Sequence, residues 1–205
     1  MSMFYNSQGE FQWVSVTALI SLIGVVVTVL STIYTNKKTI RANTQTKTTI
    51  EWISEIRELS AELISNYELI QSYSRYSYSF KIESLITNEL EKVRANNKSR
   101  KSYDEKYNEC VWRIHFLSNQ LSLYLIDDSK HHKINELLVE LRQEIADIAD
   151  YSRIKIERDK SHSYYQAQID GQIVLTNKLK DTVDEFRRNI AIYLKEEWKA
   201  VHSIK

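Results

Sequence analysis

Aromatic rings set beside cations are the most chemically pointed pattern in this chain. The stretch NYELIQSYSRYSYSFK holds Tyr67, Tyr73, Tyr76, Tyr78 and Phe80 around Arg75, and residues 94–106 add Lys98, Arg100, Lys101 and Tyr103. A third group, Arg153, Lys155, Arg158, Lys160, Tyr164 and Tyr165, repeats the combination. A ring that stacks on a base contributes roughly 1–3 kcal/mol, and each phosphate calls for a Lys or Arg. Arg75, Tyr76, Tyr78, Arg100, Lys101, Arg153, Lys155 and Arg158 are therefore the candidate residues for an oligonucleotide or nucleotide ligand. General burial tendencies favour a plainer reading, in which tyrosine-rich helix faces pack on their neighbours and leave their charges in water.

Signs of catalysis are sparse. The chain has no Gly-rich phosphate loop, no His-Glu-x-x-His and no nucleophile elbow, so phosphotransfer, metalloprotease and hydrolase chemistry lack a starting motif. Arg158 precedes His162 with three residues between, one short of the spacing used by helical nucleases of the HEPN type, and a solvated helix end explains the pair better. His131 and His132 follow DDS and are expected exposed in a first helical turn. The single Cys110 excludes an intramolecular disulfide and reads as core filler. No catalytic residue, metal site or cofactor is expected, and the chain is not read as an enzyme.

The distribution of charge shifts attention to the N-terminal end. The formal net charge is only +1, which argues for no global nucleic-acid field, yet all 28 Lys and Arg lie at or beyond Lys37. Residues 13–34 are 22 positions without a charge, about 33 Å as helix against a hydrocarbon core of about 30 Å. Trp13 and Tyr34 bracket this run as interfacial aromatics, and Lys37, Lys38, Arg41 and Lys47 follow it, which places the C-terminal bulk in the cytoplasm and the N-terminus outside. A cleavable signal peptide is the competing assignment, but residues 1–12 carry no Lys or Arg to form its basic region. Those twelve residues form a short extracytoplasmic peptide. Its Phe4, Tyr5 and Phe11, with Trp13, serve either as a belt anchor, the favoured reading, or as a gate over a channel mouth.

Inside the apolar run the small and hydroxyl residues recur at Thr17, Ser21, Gly24, Thr28, Ser31 and Thr35, with gaps of four, three, four, three and four. That spacing keeps one seam toward a partner helix in a left-handed bundle, where small residues admit close approach and hydroxyls bond across helices. Return of the hydroxyls to their own i−4 carbonyls is the alternative. Such a seam either packs dry or lines a wet pore. Nothing charged is available in it to select ions.

Proline is absent, against about ten expected from average usage, and only Gly9, Gly24 and Gly171 are glycines. Long unbroken helices follow. Residues 36–48 are a basic, Thr-rich juxtamembrane connection suited to anionic headgroups, and the membrane helix can run through it as a stalk. Apolar residues then recur with helical period from Ile50 to Ile70, from Tyr103 to Ile126, from Ile134 to Tyr151 and from Ile173 to Trp198. Breaks are expected at ANNKSRKS, at DDSK with Asp128 or Ser129 as the cap, and at Gly171 in QIDGQ. The fold class is all-α: a transmembrane helix over residues 13–35 and a cytoplasmic domain of four to five helices over residues 49–205.

At TKTTIEWISEIRELSAELIS the chain resembles a group of bacterial and prophage membrane proteins with one N-terminal span, a Thr/Arg-rich connection and an Ile-Glu-Trp-Ile-x-x-Ile-Arg helix start. The pattern covers residues 13–60, with Glu51, Trp52 and Arg57 its most specific part; the rest is similar in layout alone. Read from the residues themselves, Trp52 is a packing or interface ring, and Glu51 and Arg57 are placed to pair between helices. The layout is similar to that of small antiphage effectors, the channel subunit of the Hailong system and the membrane accessory of type VI-B CRISPR loci. That resemblance implies a homo-oligomer, a tetramer or larger, in the bacterial inner membrane. It would be a pore opened by an oligonucleotide signal or by a defence-system partner protein, and would act in abortive infection. A non-conducting scaffold or superinfection-exclusion protein is the alternative, and a tethered RNase a third class.

Overall fold

The computed structural model describes residues 13–125 and 129–203. Its chain order is α1 (Trp13–Ile86), α2 (Leu90–Tyr124), α3 (His132–Arg153) and α4 (His162–Ser203), with no strand among the described residues. Two compact units divide it, Met1–Glu51 and Trp52–Lys205. The first unit is the leading part of α1, which is long and apolar enough to cross a membrane. Every side chain from residue 20 to residue 40 is exposed within the chain.

The second unit is a four-helix bundle. Each helix turns one stripe inward because its apolar residues recur every three or four positions. Ile56, Leu63, Tyr67 and Ile70 of α1, Ile114, Leu117 and Leu121 of α2, Leu137, Leu141 and Ile148 of α3, and Leu179, Val183 and Phe186 of α4 meet in one core. A smaller core joins Tyr78 and Ile82 to Ile156 and Tyr165. Arg75 ties α1 to α4: its Nε donates to Thr176 Oγ1 at 2.7 Å and its Nη2 to Asn177 Oδ1 at 2.6 Å.

Two of the expected breaks are helix interior. Asn96 and Asn97 lie inside α2, which starts at Leu90. Val93, Asn96, Ser99, Arg100, Tyr103 and Tyr107 form a half-buried stripe that leads into buried Cys110, and ion pairs one turn apart, Arg100–Asp104 and Lys101–Glu105, support that turn of helix. The α1–α2 break falls instead at residues 87–89, where the Thr87 hydroxyl accepts from the Glu89 N–H at 3.4 Å. Gly171 sits within α4. It is needed there for space, since a Cβ would meet the Tyr151 hydroxyl oxygen at 2.1 Å. The last turn is residues 154–161, in which Asp159 takes a positive φ of 57°, a conformation Asp tolerates better than most residues. Ser161 then caps α4, its Oγ accepting from the Tyr164 N–H at 3.3 Å.

Further corrections concern single residues. His131 is buried, not exposed: its Nε2 lies 2.8 Å from the Tyr193 hydroxyl, and its ring meets the Tyr193 ring edge-on at 5.0 Å. Glu51 pairs with Lys47 of its own helix at 3.8 Å, not across helices. Trp52 packs its ring edge-to-face on Tyr193 at 6.0 Å. Asp128 and Ile126 lie outside the described residues.

Candidate ligand-binding cleft

The eight candidate ligand residues do not form one surface. Arg75 is spent on α4, and Tyr78 is buried in the smaller core with its hydroxyl 3.4 Å from Gln168 Oε1. Tyr76 stacks on Tyr103 at 5.2 Å, Phe80 stacks on the same ring at 5.8 Å, and Lys106 lies over it at 5.4 Å. The ring faces of this cluster thus serve one another, and the exposed flank of Tyr76 is what they leave to a ligand. Lys101 points to solvent and pairs with Glu105, while Lys155 and Arg158 lie exposed in the α3–α4 linker. His162 is exposed beside them.

Three of the eight, Tyr78, Arg100 and Arg153, do line one cleft, together with Lys81, which was not among the candidates. A cleft of about 450 Å³ opens between α1, α2 and α3. Ser77, Tyr78 and Lys81 supply its α1 wall, Arg100, Asp104, Tyr107 and Asn108 its α2 wall, and Ser152 and Arg153 its α3 rim. Three cations and one carboxylate, Asp104, line it, and Arg153 is also paired at the rim with Asp150 of its own helix at 3.1 Å. Lys81 Nζ donates to the carbonyls of Ser152 at 2.7 Å and Ile154 at 2.8 Å, neutralising the negative end of α3. Burial, then the nearby Arg100 charge, holds the Lys81 ammonium below its ordinary range, with Asp104 pulling the other way. Asp104 accepts from the Ser77 hydroxyl and pairs with Arg100 Nε at 3.5 Å. Burial pushes the Tyr107 phenol up to about 12, so it remains a neutral donor, here to the Ile145 carbonyl at 3.3 Å.

No protein-family model, curated protein or solved structure matches this chain. The chemistry of the cleft therefore stands on its own residues. A hollow lined by Lys81, Arg100 and Arg153 against the single carboxylate of Asp104 suits a phosphate-bearing anion. One signal for Lys81 was present in the sequence: it lies one turn beyond Ser77 on the same helix as the tyrosines. Its role depends on the end of α3 arriving there, which no local pattern announces.

Among the described residues no group of three or more His, Cys, Asp or Glu is arranged to hold a metal. Cys110 is buried, and burial, then Glu109, pushes its thiol above the ordinary range. In the first unit all six seam residues are exposed. Thr17 Oγ1 donates to the Trp13 carbonyl at 3.0 Å and Thr28 Oγ1 to the Gly24 carbonyl at 2.8 Å. A Cβ added at Gly24 would meet nothing within 4 Å. The gate residues Phe4, Tyr5 and Phe11 lie outside the described residues.

Proposed function

We propose that this chain is a homo-oligomeric, single-span channel protein whose helical bundle faces the cytoplasm and binds a phosphate-bearing signal in the Lys81–Arg100–Arg153 cleft. The observation that carries the reading is the seam. It lies on a membrane-length helix, its six positions are exposed within the chain, and the space beside Gly24 is open. Among the described residues nothing accounts for a glycine there, where helix propensity disfavours it by about 1 kcal/mol. A second copy packed along the seam accounts for it. The basic residues after the span support the cytoplasmic placement of the bundle. A role in bacterial antiphage defence, with a partner enzyme supplying a nucleotide or oligonucleotide signal, draws its support from the resemblance at residues 13–60.

The test is dye efflux from liposomes carrying the purified chain, with and without a short oligonucleotide, alongside native mass measurement of its stoichiometry. Signal-dependent efflux from an oligomer is the expected result, and a monomer without efflux ends the reading. One observation favours the alternative of a non-conducting, membrane-anchored scaffold: Thr17 and Thr28 return their hydroxyls to their own helix and need no neighbour. A voltage-sensitive dye separates the two, since expression of a scaffold leaves the membrane potential intact.

A further inference from the structure

The outer line of α2 carries Trp112, Phe116 and Leu123, exposed by 78%, 52% and 82%. Cys110, Ile114, Leu117 and Leu121 of the same helix are buried, so the three lie on the side away from the core and take no part in it. A Trp, a Phe and a Leu aligned on one solvent-facing line form the kind of apolar patch that marks an interaction site. Glu109, one turn before Trp112, is exposed beside them and forms no ion pair among the described residues.

A surface of complementary character lies elsewhere in the bundle. Between α1 and α4 runs an apolar groove of about 470 Å³, floored by Ile64, Ile190 and Leu194 and walled by Trp198, with Arg57 and Lys195 on its rim. Arg57 and Lys195 are exposed and have no ion pair among the described residues, whereas the third cation of the lining, Arg187, is taken up by Glu68 and Asp184. We infer that the α2 ridge of one copy docks into the α1–α4 groove of a neighbouring copy, Trp112 and Phe116 entering the groove and Glu109 meeting Arg57 and Lys195. The inference rests on the homo-oligomer reading and gives that oligomer a second contact in the bundle.

Charge complementarity commits the groove to this occupant, because ridge-to-ridge pairing would leave Arg57 and Lys195 unanswered. Ridge and groove are different surfaces of one chain. Each copy therefore offers its ridge to one neighbour and its groove to the other, a heterologous contact that closes into a ring. Anchors held in one membrane by parallel copies favour closure over an open filament.

The experiment uses the full chain in membranes, with the photoreactive residue p-benzoylphenylalanine in place of Trp112 and two epitope tags on coexpressed copies. After irradiation the crosslinked product is mapped by mass spectrometry. Products joining position 112 of one copy to residues 57–64 or 190–198 of the other are expected. Glu109→Lys should lower their yield about fivefold, the scale of a reversed charge contact at a rim, and adding Arg57→Glu should restore it. Products that join α2 to α2, join position 112 to a different protein, or never link two copies overturn the inference. Ser21→Cys with oxidative crosslinking reports on the seam in parallel. A seam crosslink without a position-112 crosslink removes ridge-in-groove docking and leaves the oligomer standing; failure of both removes both.

Discussion

Glu144 is 2% exposed in a layer built largely of Leu and Ile. Its Oε1 accepts from Thr182 Oγ1 at 3.0 Å and lies 3.3 Å from Lys178 Nζ, while Oε2 has no partner. Burial raises the carboxyl above its ordinary range, and Thr182 and Lys178 pull it back only in part. An acid whose folded pKa is raised holds its proton more tightly in the native state. Its stabilising contribution is complete below the unfolded carboxyl range and is lost as pH climbs through the raised value. Glu144→Gln should therefore flatten the fall in melting temperature as pH climbs above the ordinary carboxyl range, read by circular dichroism of the purified chain; an unchanged profile would show that the carboxyl titrates as if in water. Gly171 makes a different demand. Ala there gains about 1 kcal/mol of helix propensity but drives the Tyr151 hydroxyl from its 3.0 Å bond to the Gln168 carbonyl. The displacement costs about 1–3 kcal/mol. Gly171→Ala should lower the melting temperature in the native chain and raise it in a Tyr151→Ala background, a reversal of sign that a purely local effect of the glycine would not produce.

At the scale of elements, α1 does two jobs along one helix: its first part presents a seam without a partner, and its later part supplies one wall of the bundle. At Gly24 a methyl meets nothing in the chain but a great deal in a tight helix pair. Gly24→Ala should leave the helicity of the isolated chain intact, and Gly24→Leu should shift the native mass toward smaller assemblies. An unaltered mass distribution for the Leu variant would detach the seam from assembly. Arg75 illustrates the opposite case, a cation that looked available and is committed. Its two side-chain bonds cross from α1 to α4, and Arg75→Ala should destabilise the bundle by about 2 kcal/mol, with Lys a poor substitute because it lacks the planar fork. Chemical denaturation of the full chain measures this, and a loss below about 0.5 kcal/mol would make the clamp incidental. Elements also explain the misplaced breaks. Asn and Gly are turn signals only where no stripe passes through them, and both the Asn96 turn and the Gly171 turn lie on stripes that pack against a neighbouring helix.

For the whole molecule, the cleft at Lys81, Arg100 and Arg153 carries the expected effect on ligand. Binding of a short single-stranded RNA should weaken steeply with added salt, since each phosphate contact releases counterions. Arg100→Glu and Arg153→Glu should each reduce affinity about tenfold, whereas Lys101→Glu on the outer side should matter little; equal losses at all three positions would mean a diffuse field and no site. Fluorescence anisotropy on the purified chain reads all of these. Much of this molecule was legible in one dimension: the membrane-length run depends on composition, the helical class of the remainder and its four apolar stripes depend on periodicity, and both are local properties that each helix carries by itself. The fate of individual polar side chains was not. Arg75, Tyr78 and His131 were absorbed into packing, and Lys81 was raised to the centre of a cleft, because each outcome depends on which helix arrives opposite. Residues far apart in sequence, such as Arg75 and Thr176 or Lys81 and Ile154, become neighbours only when the bundle closes. The repeat of apolar residues thus determined the elements, and only the tertiary structure decided which charges and rings remained free to meet a ligand or another copy of the chain.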